Sequence, residues 1–266
     1  ASSLEGQPFG LPELGRSILG LLVQDRRRAC LALRSGTLSF TEGPAVMGIL
    51  NITPDSFSDG GLYLDPEAAA DRAVEMKAQG AALVDIGAES TRPGSLRVPS
   101  AIQRERIIPV IREIRRRDSG LPLSVDTSDP DTARAAVDEG VDMINDVTAL
   151  SEPGMAELAA STGTPAVLMH MKGRPRDMQA SPSYDDVIGE IVAFLEERVA
   201  SACAAGVPRS LILVDPGIGF GKRLCDNIAI VRRLREFRCL GVPVVLGHSR
   251  KSFLGTVTGK GEASER

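Results

Sequence analysis

A chain of 266 residues, 42% of them hydrophobic, can bury one sizeable core and suits a single large domain. Tryptophan is absent and aromatics are 3%, so that core must be aliphatic. A net charge of −4 excludes an electrostatic case for nucleic acid or an anionic membrane, and no apolar run approaches the ~18 residues of a membrane span.

Leu14 to Arg28 reads as a short helix ending in three arginines. CLALRSGTLSF follows, with Ser35-Gly36 between two alternating apolar segments, and predicts a β-hairpin of the kind that covers the open bottom of a barrel. Residues 1–44 are thus an extension ahead of a main domain at 45–266.

From Ala45 onward an apolar strand, a polar loop and a helical stretch recur. The strands are expected at Ala45–Leu50, Ala82–Gly87, Leu121–Thr127, Asp142–Val147, Pro165–Met171, Leu211–Gly217 and Val242–Ser249. The helices are expected at Pro66–Gln79, Ala101–Arg117, Pro130–Glu139, Met155–Ser161, Tyr184–Ala204 and Asn227–Phe237. Strands alternating with helices point to α/β architecture, a parallel sheet curled into a (β/α)₈ barrel with an N-terminal hairpin. Seven strands are legible where closure wants eight, so the barrel is expected to lack its last strand and helix in this chain. The arginines of Arg112–Arg117 read as a solvated helix face. Cys30, Cys203, Cys225 and Cys239 have no metal-ligand spacing and read as buried or incidental thiols in a reducing cytoplasm.

The first strand runs into ILNITPDSFSDGG, Ile49 to Gly61, a turn crowded with polar side chains. Every later strand also ends in something unusual. The second gives Asp85, Glu89, Ser90, Thr91, Arg92 and Pro93; the third Asp126; the fourth Asn145 and Asp146; the fifth Met169 and His170; the sixth Asp215; the seventh Ser249, Arg250 and Lys251. In a barrel these ends meet at one mouth, where the chemistry sits.

Asp126, Asn145 and Asp215 lie in or just after hydrophobic strands, and buried carboxylates need partners. A ligand rich in N–H donors, such as a 2-amino-4-oxo heterocycle (guanine or pterin), would supply them. Val147, Met169 and Phe220 would pack on its faces. Arg92, Lys222, Arg250 and Lys251, with the hydroxyls of Thr91, Ser249 and Ser252, suit an anion. DPGIGFGK, Asp215 to Lys222, is not a Walker A, because Arg223 follows Lys222. Its glycines let the backbone turn tightly against the ligand.

GILNITPDSFSDGG, DIGAESTRPG, SVDTS, INDV, LMHMKG, DPGIGFGK and SRKSFLG stand in an order that resembles the dihydropteroate synthase family of pterin-binding barrels. The resemblance covers about Ala45 to Gly255. It implies an enzyme of folate biosynthesis that joins 7,8-dihydropterin-CH₂-pyrophosphate to 4-aminobenzoate, with release of pyrophosphate. It implies that Asp126, Asn145, Asp215 and Lys251 hydrogen-bond the pterin and that Met169 and Phe220 line its slot. It also implies Asn51 as a ligand of Mg²⁺, and Phe57, Thr91, Arg92, Pro93 and Ser252 around the aminobenzoate. Sulfonamides, as aminobenzoate mimics, and a homodimer enter on the same ground.

Three departures accompany the resemblance. Neither of the two histidines, His170 and His248, has an arginine two positions before it, so the Arg-x-His element of the family's eighth strand is missing. Ala88 stands where glycine is usual. Asp226 replaces a common histidine before Asn227, and His248 replaces a small residue. The competing readings are a non-catalytic or truncated pterin-binding homologue and a methyltetrahydrofolate:corrinoid methyltransferase. The latter should lack TPDSFSDGG and SRKSFLG.

Overall fold

A computed structural model describes residues 30–52, 65–89, 97–173 and 177–261. The first two strands, β1 (Cys30–Leu33) and β2 (Gly36–Ser39), pair antiparallel around Arg34 and Ser35. The turn is therefore one residue earlier than Ser35-Gly36. The chain then alternates: β3 (Met47–Asn51), α1 (Pro66–Ala78), β4 (Leu83–Gly87), α2 (Ser100–Arg117), β5 (Leu123–Asp126), α3 (Pro130–Asp138), β6 (Met143–Asp146). It continues with α4 (Met155–Thr162), β7 (Ala166–Met169), α5 (Val187–Ala204), β8 (Ile212–Asp215), α6 (Leu224–Arg232) and α7 (Ser252–Thr258). Strands β3 to β8 form one parallel sheet in sequence order, the arrangement of a partial (β/α)₈ barrel.

Local chemistry sets the helix starts. Asp65 accepts from the amides of Glu67 and Ala68, and Asp129 from that of Thr132; each is followed by a proline whose missing N–H costs nothing at the first helical position. Strand parity sets the core. Alternate residues such as Val84, Ile86, Leu123, Val125, Ile144, Leu168 and Val214 face the helices and join their apolar stripes. The opposite parity points into the barrel, where Leu83, Met143, Val167 and Leu213 form a second cluster with Leu31 and Leu38 of the hairpin. The hairpin thus seals the bottom of the barrel. Ser35 N–H donates to Asp142 Oδ1 at 2.7 Å, which holds the seal to the foot of β6.

Three expectations are corrected. The segment at Val242–Ser249 makes only a single bridge, Val214 with Val244, because Pro243 has no N–H and the ladder stops after Val245 donates to Val214 O. Arg115 is not on the solvated face. It donates to Gly140 O, Leu121 O and Asp142 Oδ2, the last at 2.8 Å, and so braces the foot of the sheet. No described cysteine is buried; Cys30, Cys225 and Cys239 are exposed, Cys203 is half-buried, and all four are free. Helix α7 was not expected. The Leu14–Arg28 helix lies outside the described residues.

Candidate active site

Parallel pairing brings the polar strand ends side by side. Asn51 pairs with Gly87, Gly87 with Asp126, Asp126 with Asn145, and Met169 with Asp215. A methyl group on Gly87 would lie 3.4 Å from Asn51 Oδ1 and 3.5 Å from Asp126 Oδ2, so these two side chains face each other across a glycine. Likewise Gly247 leaves space beside Asp215 Oδ2 and Lys251 Nζ, 3.8 and 3.9 Å from where a Cβ would stand.

The carboxylates are electrostatically stressed. Burial, and then the nearby charges of Asp85, Asp146 and Glu89, hold the Asp126 carboxyl well above its ordinary range. Asp126 accepts no hydrogen bond from the described residues. Burial also raises Asp215, against the opposing Gly217 N–H at 2.6 Å and the ammonium groups of Lys251 and Lys222. Asp146 has the opposite parity and does not face the mouth. It accepts from Thr148 N, Thr148 Oγ1 and Leu150 N, and so shapes the turn after β6. In that turn Ala149 and Leu150 both take positive φ, 56° and 57°, with their carbonyls held by Arg198.

The loop after β8 wraps closely on the end of β7. Gly217 has φ 68°, and a Cβ there would collide with His170 O; at Gly221, φ 61°, it would collide with Lys172 O. The loop is pinned by Asn227 Oδ1 accepting from Gly219 N–H, Gln179 donating to Gly219 O and Tyr184 donating to Gly221 O. This fixes Phe220, whose ring lies 4.5 Å from Lys251 Nζ. Lys251 also donates to Ile218 O, so its ammonium is held between Asp215 and the aromatic face. Arg250, just before it, is exposed with φ 57°, a strained backbone at the mouth.

Of the residues singled out in the sequence, the structure gathers Asn51, Asp126, Asn145, Met169, Asp215, Phe220 and Lys251 at the C-terminal end of the sheet. Val147 is half-buried just past β6, and Ser252 is exposed at the start of α7. Phe57, Thr91, Arg92 and Pro93 lie outside the described residues. Two groups expected at the mouth lie beneath it or behind it. Asp85 accepts from Asn145 Nδ2 at 2.9 Å. Lys222, expected among the cations that suit an anion, is instead buried against His170, its ammonium engaged with His170 Nδ1 and Phe220 O.

For a metal ion the candidate ligand is Asn51. Among the described residues no three His, Cys, Asp or Glu side chains cluster to hold one. Asn51 offers an exposed amide oxygen that accepts nothing from the described residues. That fits Mg²⁺, which keeps waters and substrate phosphates and takes few protein oxygens.

The family model described as "Pterin binding enzyme" matches residues 47–266. The dihydropteroate synthase of Escherichia coli K12 is 45% identical over 231 residues, 87% of this chain and 81% of that protein. Among solved structures, the Yersinia pestis dihydropteroate synthase in a sulfonamide drug complex superposes with a TM-score of 0.85 at 41% identity, over 89% of this chain and 85% of that one. The Xanthomonas albilineans enzyme in complex with 7,8-dihydropteroate gives 0.78 at 42% identity, over 89% and 84%.

Proposed function

Because the chain belongs to the dihydropteroate synthase family of pterin-binding enzymes, we propose that Asp126, Asn145, Asp215 and Lys251 hold the dihydropterin, and that Asn51 contributes to Mg²⁺ binding. The reaction is transfer of the dihydropterin methylene from pyrophosphate to the amine of 4-aminobenzoate. One C–O bond breaks, one C–N bond forms, and the nitrogen gives up a proton.

The observation that carries the residue assignment is the stress on Asp126 and Asp215. Both are carboxylates at the C-terminal end of the sheet whose charge is opposed by burial. A heterocycle bringing N–H donors supplies hydrogen-bond partners that favour the ionised form of both. Ionised, they face the methylene as pyrophosphate departs and stabilise the positive charge spread into the ring. Lys251 covers the slot from the Phe220 side and can donate to a ring carbonyl. Met169 and Phe220 hold the ring plane, which sets the angle at which the arylamine approaches. The arylamine is already a nucleophile in its neutral form, so positioning matters more than a strong base. Mg²⁺, when bound, neutralises pyrophosphate and improves it as a leaving group. Thr91, Arg92, Pro93, Phe57 and Ser252 are proposed for the aminobenzoate end, with Val147 and Arg250 at the rim.

The test is pyrophosphate release by this chain, given the dihydropterin pyrophosphate, 4-aminobenzoate and Mg²⁺. Release that needs both the arylamine and Mg²⁺, and that falls in Asn51→Ala at limiting metal, supports the assignment. Metal dependence identical in Asn51→Ala removes Asn51 from the metal site.

A further inference from the structure

Asp85 is 2% exposed in the middle of β4, between the fully buried Val84 and Ile86. Its parity turns it into the barrel, where it pairs in register with Ser124 of β5. The far side of Ser124 is β6, and from there the half-buried Asn145 reaches back to Asp85 Oδ2 at 2.9 Å. Asp85 Oδ1 and Ser124 Oγ, by contrast, are buried without a hydrogen-bond partner among the described residues. Ser124, like Asn145, draws the Asp85 pKa down against the larger effect of burial.

An asparagine amide has two ends of similar shape and opposite hydrogen-bonding character. Only the nitrogen end can face a carboxylate oxygen. Asn145 is therefore held with Nδ2 toward Asp85, and its Oδ1, which accepts nothing from the described residues, is left for whatever occupies the mouth. Burial raises the Asp85 pKa. A proton taken up on Oδ1 would still leave Oδ2 as an acceptor, so the amide keeps its orientation in either ionisation state.

We propose that Asp85 is a positioning residue that makes the site select a heterocycle carrying an amino group, rather than an oxo group, at the 2-position, by locking the oxygen of Asn145 toward the ligand. This rests on the pterin reading of the site. An oxygen fixed toward the ligand meets the donor of a 2-amino group. It faces a 2-oxo group acceptor to acceptor, with neither side satisfied. A site built around a fixed hydrogen bond rejects an analogue that cannot make it far more strongly than an apolar pocket can. Replacing Asp85 by asparagine keeps the shape but offers Asn145 a donor or an acceptor, and the Asn145 amide is then free to turn over.

The experiment is calorimetric binding of two probes, a 6-substituted 2-amino-4-oxopteridine and its 2,4-dioxo counterpart, to the full chain and to Asp85→Asn, with thermal unfolding of each protein. The wild-type chain is expected to prefer the 2-amino probe. The variant should lose about tenfold or more of that preference, partly by gaining affinity for the dioxo probe. A merely structural role would weaken both probes together, and an unchanged ratio overturns the proposal. Should Asp85→Asn fail to fold, Asp85→Ser gives the same reading, since it withdraws the fixed acceptor from Asn145 Nδ2. A wild-type chain that binds neither probe overturns the assignment of the site, and this inference with it. One that binds both equally overturns the inference alone.

Discussion

Lys222 Nζ lies 2.9 Å from His170 Nδ1, and both side chains are buried behind the loop that carries Phe220. The same ammonium donates to His170 O at 3.4 Å and to Phe220 O at 3.0 Å, so its three protons join the end of β7 to the β8–α6 loop. Burial draws the Lys222 pKa down to about 7, opposed by Asp215. Burial, followed by the Lys222 charge, pushes His170 down to about 3. His170 is thus a neutral acceptor, packed edge-on against Phe194 at 5.0 Å, and is not placed to act as a base.

That depressed histidine makes a pH-dependent contribution of definite sign. In the unfolded chain His170 takes a proton below about 6.5, while in the folded chain it does so only near about 3. The unfolded state therefore binds more protons through this window, and stability falls as pH drops from 6.5 toward 3. Between pH 7 and pH 4.5 the wild-type chain should lose about 2–3 kcal/mol more than His170→Gln in urea unfolding. Equal losses in the two proteins would show that His170 is protonated in the fold.

Asp215→Ala removes the carboxylate expected to meet the pterin's N–H donors. A buried charged hydrogen bond of this kind is worth about 2–5 kcal/mol, so pterin affinity should fall by at least about thirtyfold. Unchanged affinity in calorimetry would take Asp215 out of the site.

Asp126→Asn should separate stability from activity. Neutralising Asp126 relieves burial of its charge and its repulsion from Asp85, Asp146 and Glu89, and should raise the unfolding free energy by about 1 kcal/mol at neutral pH. It also removes a charge facing the developing cation, so kcat should fall by about ten- to a hundredfold. A variant that is both less stable and fully active would contradict both halves.

The glycines of the β8–α6 loop should respond unequally to alanine. At Gly217 the new methyl meets the His170 carbonyl, part of the sheet-like pairing in which His170 N–H donates to Asp215 O, so the loop must move. Gly217→Ala should cost at least about 2–3 kcal/mol and weaken pterin binding. At Gly219 the nearest atom is Lys251 Cδ at 3.2 Å, the flexible stem of a side chain, and the cost should be about 1 kcal/mol, chiefly from φ 82°. Melting temperatures of the two variants decide this, and equal shifts would refute it.

The alternation of strands and helices was legible because apolar runs of strand length were separated by stretches with helix-start chemistry, such as Asp65-Pro66 and Asp129-Pro130. Asp126, Asn145 and Asp215 stood out as polar residues at the ends of those runs. Asp85 carries the same signal two residues deeper, and its inward parity, shared with Leu83, places it inside the barrel beneath the mouth. Arg115 was hidden by composition. In REIRRR only its place beside Ile111 and Ile114 on α2 distinguishes it from its solvated neighbours. The segment at Val242–Ser249 looked like a strand because composition measures fit to a sheet and cannot count available partners. Helix α7 was obscured by Gly255 and by Thr256, Val257 and Thr258, all poor helix formers.

The hairpin seal and the site share one strand. Asp142 at the foot of β6 accepts from Ser35, Leu123 and Arg115, and Asn145 lies three residues above it, about 10 Å along the strand. Leu31 and Leu38 therefore do more than finish the bottom of a barrel; with Leu83, Met143, Val167 and Leu213 they make the wall beneath Asp85 and Ser124. Loosening that wall would let solvent reach Asp85 and Ser124 from beneath, and the first symptom would be wasteful hydrolysis of the pterin substrate while binding at the mouth remained intact.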